Sequence, residues 1–320
     1  MPVVVQELLD DEATDLQLRF HAGRAGLKRQ ILKERIQKPG LALTGFNVFV
    51  HSDRVQILGS TELAYLSQMS SEERSESCLY LCEVSPVCII CTKGMSVPEE
   101  LIQQCEQKNI PLMSTPQLSS IFISRIQNWL ADRLAPKTSM HGVLIDIFGV
   151  GALVLGQSGI GKSECALELI QRGHRLVADD IVQIKRHGME FVYGAGTALL
   201  KHHIEIRGLG ILDIKEMFGV SSVVERKRID LVAEMVMWRE DEEYDRLGLE
   251  ERRFPILDVE LPLITVPVRP GRNMGSIIEV AARNQLLKNM GTNSAAKIQD
   301  RLNKELALGR RSTFLGDSVE

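Results

Sequence analysis

Gly156-Gln157-Ser158-Gly159-Ile160-Gly161-Lys162-Ser163 spells a complete G-x-x-x-x-G-K-[ST] loop, and that stretch decides the fold. The apolar run Val150 to Leu155 leads into it and reads as a buried strand. The run from Ser163 to Arg172 leads out as a helix and stops at Gly173, suited to the left-handed position after a helix. In such a strand–loop–helix, backbone N–H groups and the helix N-terminus face phosphate oxygens. Lys162 reaches the β and γ oxygens, and the Ser163 hydroxyl faces Mg²⁺. From average residue frequencies the bare pattern arises by chance in roughly one chain in a hundred of this length. The flanking elements lower that further, so nucleotide binding is the first expectation.

At 320 residues the chain has room for two domains, each with its own core. A net charge of −4 argues against a general nucleic-acid or membrane-surface binder. Met1 to Asp10 has no basic region ahead of a long apolar stretch, so no secretory signal is expected. The longest apolar run, Val143 to Gly156, carries Asp146 and cannot span a bilayer. These features predict a soluble, cytoplasmic protein. Cys88-Ile-Ile-Cys91 has zinc-knuckle spacing, but Pro86 to Thr92 reads as a buried strand and a second Cys/His pair is missing. Buried, reduced thiols are the expected state of the six cysteines.

Residues 1–132 alternate strand-like and helix-like segments, which predicts a small α/β domain of scaffold or regulatory character. Strands are expected at Leu16–Phe20, Arg54–Gly59, Val87–Thr92 and Ile110–Met113. Ser70-Ser-Glu-Glu73 is a capping box, Pro98 opens a helix at its first position, and Thr115-Pro116 caps a helix carrying Leu118, Ile121, Phe122, Ile126 and Trp129. Residues 133–320 form the second, catalytic domain, entered through the polar stretch Asp132 to Ser139. Helical patterns at Ile277–Lys288 and Ala295–Leu308 follow, then a frayed tail from Arg310.

Phosphoryl transfer asks for phosphate positioning, a metal holder, a base and added positive charge. His174 to Val182 reads as the next strand and carries Asp179 and Asp180. A right-handed crossover brings its end to the sheet edge that holds the loop, and only one of two successive residues points at the transferred group. In Ile204-Glu205-Ile206-Arg207-Gly208-Leu209-Gly210-Ile211-Leu212-Asp213, period-2 alternation puts Glu205 and Arg207 on one face, taken alone a surface ion pair on a strand, but in this company a carboxylate and a guanidinium able to hold Mg²⁺ and phosphate oxygens. Arg246 stands in Tyr244-Asp-Arg-Leu-Gly248 inside a dense charge run. Pro267-Val268-Arg269-Pro270-Gly271-Arg272 is a basic Pro/Gly loop, fit either to bind a phosphate or to decorate a turn. His141 precedes the strand that feeds the loop, and a lone histidine is by itself structural. His202-His203 would splay to opposite faces of a strand, a poor metal pair.

Together, His141 to Gly151, the loop Gly156–Ser163, Val177 to Asp180, Ile204 to Asp213, Tyr244 to Leu249 and Val268 to Asn273 resemble the bacterial HPr kinase/phosphorylase family in order and spacing. Arg35 to Phe46 is similar to that family's first domain, more loosely. The resemblance implies an α/β fold: a small N-terminal α/β domain, then a P-loop kinase domain of the HPr kinase/PEP carboxykinase-like type with C-terminal helices. It implies a cytoplasmic homohexamer that phosphorylates a serine of the phosphocarrier HPr with ATP or pyrophosphate. The same enzyme removes that phosphate by phosphorolysis, releasing pyrophosphate. By resemblance Lys162 contacts nucleotide phosphates and Ser163 with Glu205 holds Mg²⁺. Asp180 is base in one direction and acid in the other, with Asp179 in support. His141 and Arg246 complete the active site, and the Pro267–Arg272 loop serves dephosphorylation. Three rivals remain. A GTP-dependent switch needs an Asn-Lys-x-Asp element, which Asn303 to Leu306 lacks. A small-molecule kinase or a non-catalytic nucleotide sensor would share the loop.

Overall fold

The computed structural model describes residues 2–241 and 252–292. The chain divides into two compact units, Met1–Ala135 and Pro136–Glu320. The segment Tyr244–Gly248 with Arg246, the pattern Ala295–Leu308 and the tail lie outside the described residues.

The first unit is built on a four-stranded sheet in the order Arg19–Ala22, Leu112–Ser114, Cys88–Cys91, Val55–Leu58. Its first pair is antiparallel and the rest are parallel. Both faces of the three parallel strands are buried, so these do not alternate between buried and exposed positions, whereas the edge strand Arg19–Ala22 is partly exposed. Cys88 and Ile90 pack with Phe122, Ile126 and Trp129 of the helix Ser119–Leu134. Ile89 and Cys91 face the helices Ser60–Ser67, Ser71–Glu83 and Glu99–Gln107 on the other side. The two cysteines of the zinc-like spacing therefore point to opposite faces, and burial pushes both thiols up to about 12.

Ser70 and Glu73 form the capping box, with Glu73 N donating to Ser70 Oγ at 3.3 Å and Ser70 N to Glu73 Oε2 at 2.9 Å. Three expectations shift. The strand placed at Leu16–Phe20 begins only at Arg19, because Asp15 and Gln17 take φ of 49° and 52°, outside the extended region. Pro98 stands one residue before the helix it was expected to open, as its N-cap. Thr115 Oγ1 accepts from Gln117 N at 3.3 Å and donates to Leu16 O at 3.0 Å, closing a side-chain turn that delays the next helix to Ser119.

Asp11 ties the N-terminus to that last helix. Its Oδ2 accepts from Trp129 Nε1 at 2.6 Å and Arg133 Nη2 at 2.9 Å, and its Oδ1 from Thr14 N at 2.9 Å. The Trp129 donor above all holds its carboxyl at about 2, below the ordinary 3.8. The stabilisation is complete above pH 3.8 and is lost as pH falls toward 2. Asp11→Ala is expected to destabilise this unit by about 1–3 kcal/mol at pH 7 by leaving the buried Trp129 indole N–H without its acceptor. Urea unfolding at pH 7 and pH 3 checks this; a wild-type midpoint at pH 7 would remove Asp11 from the role.

The second unit layers helices, a six-stranded sheet and a second sheet. The six strands run Arg175–Ala178, Val143–Ile147, Val150–Gly156, Leu231–Met237, Val259–Val268, Arg253–Ile256. The strand Leu231–Met237 is parallel to both Val150–Gly156 and Val259–Val268. Val150, Ala152 and Val154 alternate toward the helices Lys162–Gln171 and Met274–Asn289. Leu153 and Leu155 face the opposite side, where Val182, Ile184 and Val192 of the second sheet cover them. That sheet runs Arg226–Arg228, Phe191–Ala195, Ile181–His187, Lys137–His141.

The single strand expected from His174 to Val182 is two strands in two sheets. Arg175–Ala178 pairs antiparallel with Val143–Ile147 and so lies two strands out from the loop strand. The chain then turns at Asp179-Asp180 and enters the second sheet at Ile181. Asp180 takes φ 66°, and Ile181 N donates to Asp179 O across it at 2.9 Å, a three-residue turn that strains a residue with a Cβ. Gly142, where the preceding strand also changes sheet, donates its N–H to Asp180 O at 3.0 Å. The two crossing points brace each other.

Candidate active site

Gly156 and Gly161 take φ of 147° and 102°, conformations a side chain resists, and this lets the backbone curl between strand and helix. Lys162 and Ser163 open the helix Lys162–Gln171. Lys162 Nζ donates to Gly156 O at 2.9 Å and Gln157 O at 3.1 Å, which folds the ammonium back over the loop. Ser163 Oγ donates to Asp179 Oδ1 at 2.9 Å. Asp179 is only 6% exposed, and its Oδ2 accepts the backbone N–H of Glu205 at 3.0 Å. Burial pushes the Asp179 carboxyl above its ordinary pKa, opposed by the Glu205 and Ser163 hydrogen bonds.

Ile204 to Asp213 is a hairpin of His203–Ile206 with Gly210–Asp213, not one alternating strand. Arg207, Gly208 and Leu209 form its turn, so Arg207 leaves the face expected for it beside Glu205. Its guanidinium instead lies against the phosphate loop: a Cβ built on Gly159 would stand 2.7 Å from Arg207 Nη1. Ile204, Ile206 and Leu212 anchor the hairpin in the core, while Leu209 and Ile211 are exposed. His203 Nε2 reaches Asp213 Oδ2 at 3.7 Å and His202 Nε2 reaches Glu225 Oε1 at 3.7 Å, so the two imidazoles face separate carboxylates.

Asp180 is the exposed member of the acidic pair. Its Oδ1 lies 3.5 Å from His141 Nδ1, with the two side chains 57% and 83% exposed. Pro267 and Val268 end the long strand, paired with Val236 and Met237, so only Arg269 to Arg272 span the gap to the helix Met274–Asn289. Arg269 stacks on Trp238 with its guanidinium carbon 5.5 Å from the ring centroid. Arg272 N donates to Arg269 O at 3.1 Å and Arg272 Nη1 to Pro267 O at 3.3 Å. Because three neighbouring strands run parallel, the phosphate loop, Trp238 and Arg269 leave the sheet at one edge.

The structure thus gathers Lys162, Ser163, Asp179, Glu205 and Arg207 at the loop and sets Asp180 with His141 next to them. No three carboxylate, imidazole or thiolate groups converge on a metal position among the described residues. The Ser163 hydroxyl, held by Asp179, and the carboxylate that Glu205 carries are hard oxygen donors, a chemistry that fits Mg²⁺, which takes one or two carboxylates and shares its other positions with phosphates and water. Sequence reasoning did not foresee the contact between Glu168 and Asn273, whose side chains meet across 105 residues with no local pattern to reveal it.

Fold and site together define a mixed α/β protein whose Gly156–Ser163 loop joins a buried strand to a helix, with an exposed carboxylate near it. The family model for the HPr Serine kinase C-terminal domain matches residues 132–302, and that for the HPr Serine kinase N terminus matches residues 3–130. The HPr kinase/phosphorylase of Geobacter sulfurreducens is 53% identical over 300 residues, covering 94% of each chain. HPr kinase/phosphorylase 1 of Oceanobacillus iheyensis is 44% identical over 307 residues, covering 96% of this chain and 98% of its own. The solved Hpr(Ser) kinase/phosphatase from Coxiella burnetii is 33% identical, with a TM-score of 0.45, and covers 50% of this chain and 98% of its own. The chain belongs to the HPr kinase/phosphorylase family. No helix among the described residues is long and apolar enough to cross a membrane.

Proposed function

We propose that this chain phosphorylates a serine of the phosphocarrier HPr, taking the phosphoryl group from ATP or pyrophosphate. It removes the same group by phosphorolysis, releasing pyrophosphate. The observation that carries the reading is the division of labour between adjacent carboxylates. Asp179 is buried and gripped by Ser163, while Asp180 is exposed on a left-handed turn beside His141. One serves the phosphate loop and the other is open to a protein substrate.

In the forward direction Asp180 takes the proton of the serine hydroxyl as its oxygen bonds to the γ-phosphorus and the β–γ bond breaks, leaving ADP. In reverse, inorganic phosphate attacks the phosphoserine phosphorus. Asp180 enters this direction protonated and gives its proton to the serine oxygen as the serine O–P bond breaks, and the product is pyrophosphate. A cradle for a β,γ-diphosphate suits both. Lys162 and Arg207 spread the charge that develops on the transferred oxygens. Ser163 and Glu205 would hold Mg²⁺, with Asp179 behind the serine hydroxyl. When bound, the ion neutralises phosphate charge and fixes the diphosphate. His141 orients the Asp180 carboxylate, and Arg246 completes the site by family likeness. The first unit acts as scaffold or regulator, and the enzyme works as a cytoplasmic homohexamer.

Incubation with ATP and purified HPr, then of phosphoserine-HPr with inorganic phosphate, tests the reading. Phosphate on serine in the first reaction and pyrophosphate in the second are expected. Nucleotide binding without turnover would leave a sensor, and transfer only to small molecules would leave a metabolite kinase. Arg272→Ala is expected to lower phosphorolysis about tenfold more than phosphorylation, because the lost guanidinium neutralises an incoming phosphate that ATP supplies already tethered. Equal losses in both directions would remove the loop from that role.

A further inference from the structure

Glu168 lies on the phosphate-loop helix Lys162–Gln171, and the chemistry above does not use it. Its carboxylate meets the start of the helix Met274–Asn289. Oε1 accepts from Asn273 Nδ2 and from Arg172 Nη2, each at 2.5 Å. Asn273 caps that helix, with Oδ1 accepting from Ser276 N at 2.6 Å, so its Nδ2 is left for Glu168. Gly275 stands in the first helical turn, where an added Cβ would come within 2.8 Å of Glu168 Oε2. The carboxylate therefore fills the space of a missing side chain, against the positive end of the helix. Arg172 reinforces the junction, donating to Glu279 Oε2 at 3.1 Å and to Asn273 Oδ1 at 3.4 Å.

Asn273 is the residue directly after Arg272. The segment Arg269–Arg272 is held at its N-terminal end by the strand pairing of Pro267 and Val268. At its C-terminal end it is held by Asn273, and Asn273 by Glu168. We infer that Glu168 is a positioning residue: it clamps the Arg269–Arg272 loop to the phosphate-loop helix through Asn273 and thereby sets the balance of phosphorolysis to phosphorylation. This rests on the reading that the loop serves dephosphorylation. An ångström of misplacement costs up to ~10²-fold in rate. Glu168→Ala is therefore expected to lower the phosphorolysis-to-phosphorylation ratio about tenfold, and Glu168→Gln, which keeps an acceptor for Asn273 Nδ2, far less.

The decisive set is Asn273→Asp, and Asn273→Asp combined with Glu168→Gln, in the full chain. Asn273→Asp keeps the helix cap but opposes two carboxylates. The double variant lets the Gln amide donate to the Asp carboxylate, which restores the bond with donor and acceptor exchanged. The ratio should fall in the first and recover in the second, a pattern that mere loss of stability does not produce. Trp238 fluorescence in a Trp129→Phe background reports the loop independently of turnover, since Arg269 stacks on that ring. It should shift in Glu168→Ala and Asn273→Asp and return in the double variant. An unshifted Trp238 signal, or a double variant no better than Asn273→Asp, overturns the clamp. Arg272→Ala is the control: if it leaves the ratio unchanged, the fault lies in the assigned loop role, and the effect on balance falls with it.

Discussion

Asp180→Asn is expected to lose about 10²–10⁴-fold of turnover in both directions, the range for a removed general acid–base group, while ATP still binds. The phosphate contacts assigned to Lys162 and Arg207, and the Mg²⁺ contact assigned to Ser163, do not pass through Asp180, so nucleotide affinity has no reason to collapse. The loss must also be symmetric. The group that takes the serine proton going forward is the group that returns it in phosphorolysis, and the two reactions share one barrier region near the serine oxygen. Asn keeps the size and the hydrogen-bonding reach of Asp180 but has no basic oxygen. The strained turn at φ 66° tolerates Asn as well as Asp, so the fold is preserved. Paired HPr phosphorylation and phosphorolysis assays, with ATP binding followed by calorimetry, check this. Near-normal phosphorylation by the variant would take Asp180 out of the mechanism. A loss confined to one direction would mean that two different groups carry the proton.

The phosphate loop was legible because its glycines, lysine and serine are local in sequence and their roles depend on backbone shape alone. The strand that leads into it was legible as an apolar run buried on both faces, and the helix that leads out by its stop at Gly173. What misled was reading the apolar residues on both sides of Asp179-Asp180 as one strand. His174 to Val182 changes sheet at that acidic pair, and no side-chain pattern announces a left-handed residue that is not glycine. Ile204 to Asp213 alternates as a strand should, but Gly208 and Gly210, both at φ 87°, turn it into a hairpin and swing Arg207 onto the phosphate loop. The Glu168–Asn273 contact was beyond reach because it joins residues 105 apart, and Glu168 reads as half of an ordinary helix-surface pair with Arg172.

The change of sheet explains how one dipeptide supplies two carboxylates with opposite environments. On a continuous strand, neighbours face opposite sides of a single sheet, and here both sides are buried. The turn lifts Asp180 out while Asp179 stays in the core between Ser163 and the Glu205 backbone. Environment then separates the roles, as it does wherever two adjacent acids perform different tasks.

Asp179→Asn should accordingly give the opposite balance of stability and function. Burial already works against the ionised Asp179 in the metal-free protein, so replacing it by a neutral amide relieves a desolvation cost. The amide oxygen still accepts from Glu205 N or Ser163 Oγ, and the thermal midpoint of the metal-free variant should equal or exceed that of the parent. Function should suffer nonetheless. With an uncharged partner the Ser163 hydroxyl is no longer oriented by a carboxylate, and outer-shell losses of this kind typically cost about 10–100-fold in metal affinity. The Mg²⁺ concentration for half-maximal phosphorylation is expected to rise by about that factor, with turnover at saturating Mg²⁺ affected much less. Asp180→Asn should leave that Mg²⁺ dependence alone, so the pair of variants separates the carboxylate that serves the metal from the one that moves the proton. If Asp179→Asn instead unfolds at lower temperature and titrates with Mg²⁺ like the parent, the buried acid is a structural brace and the assignment to the metal is wrong.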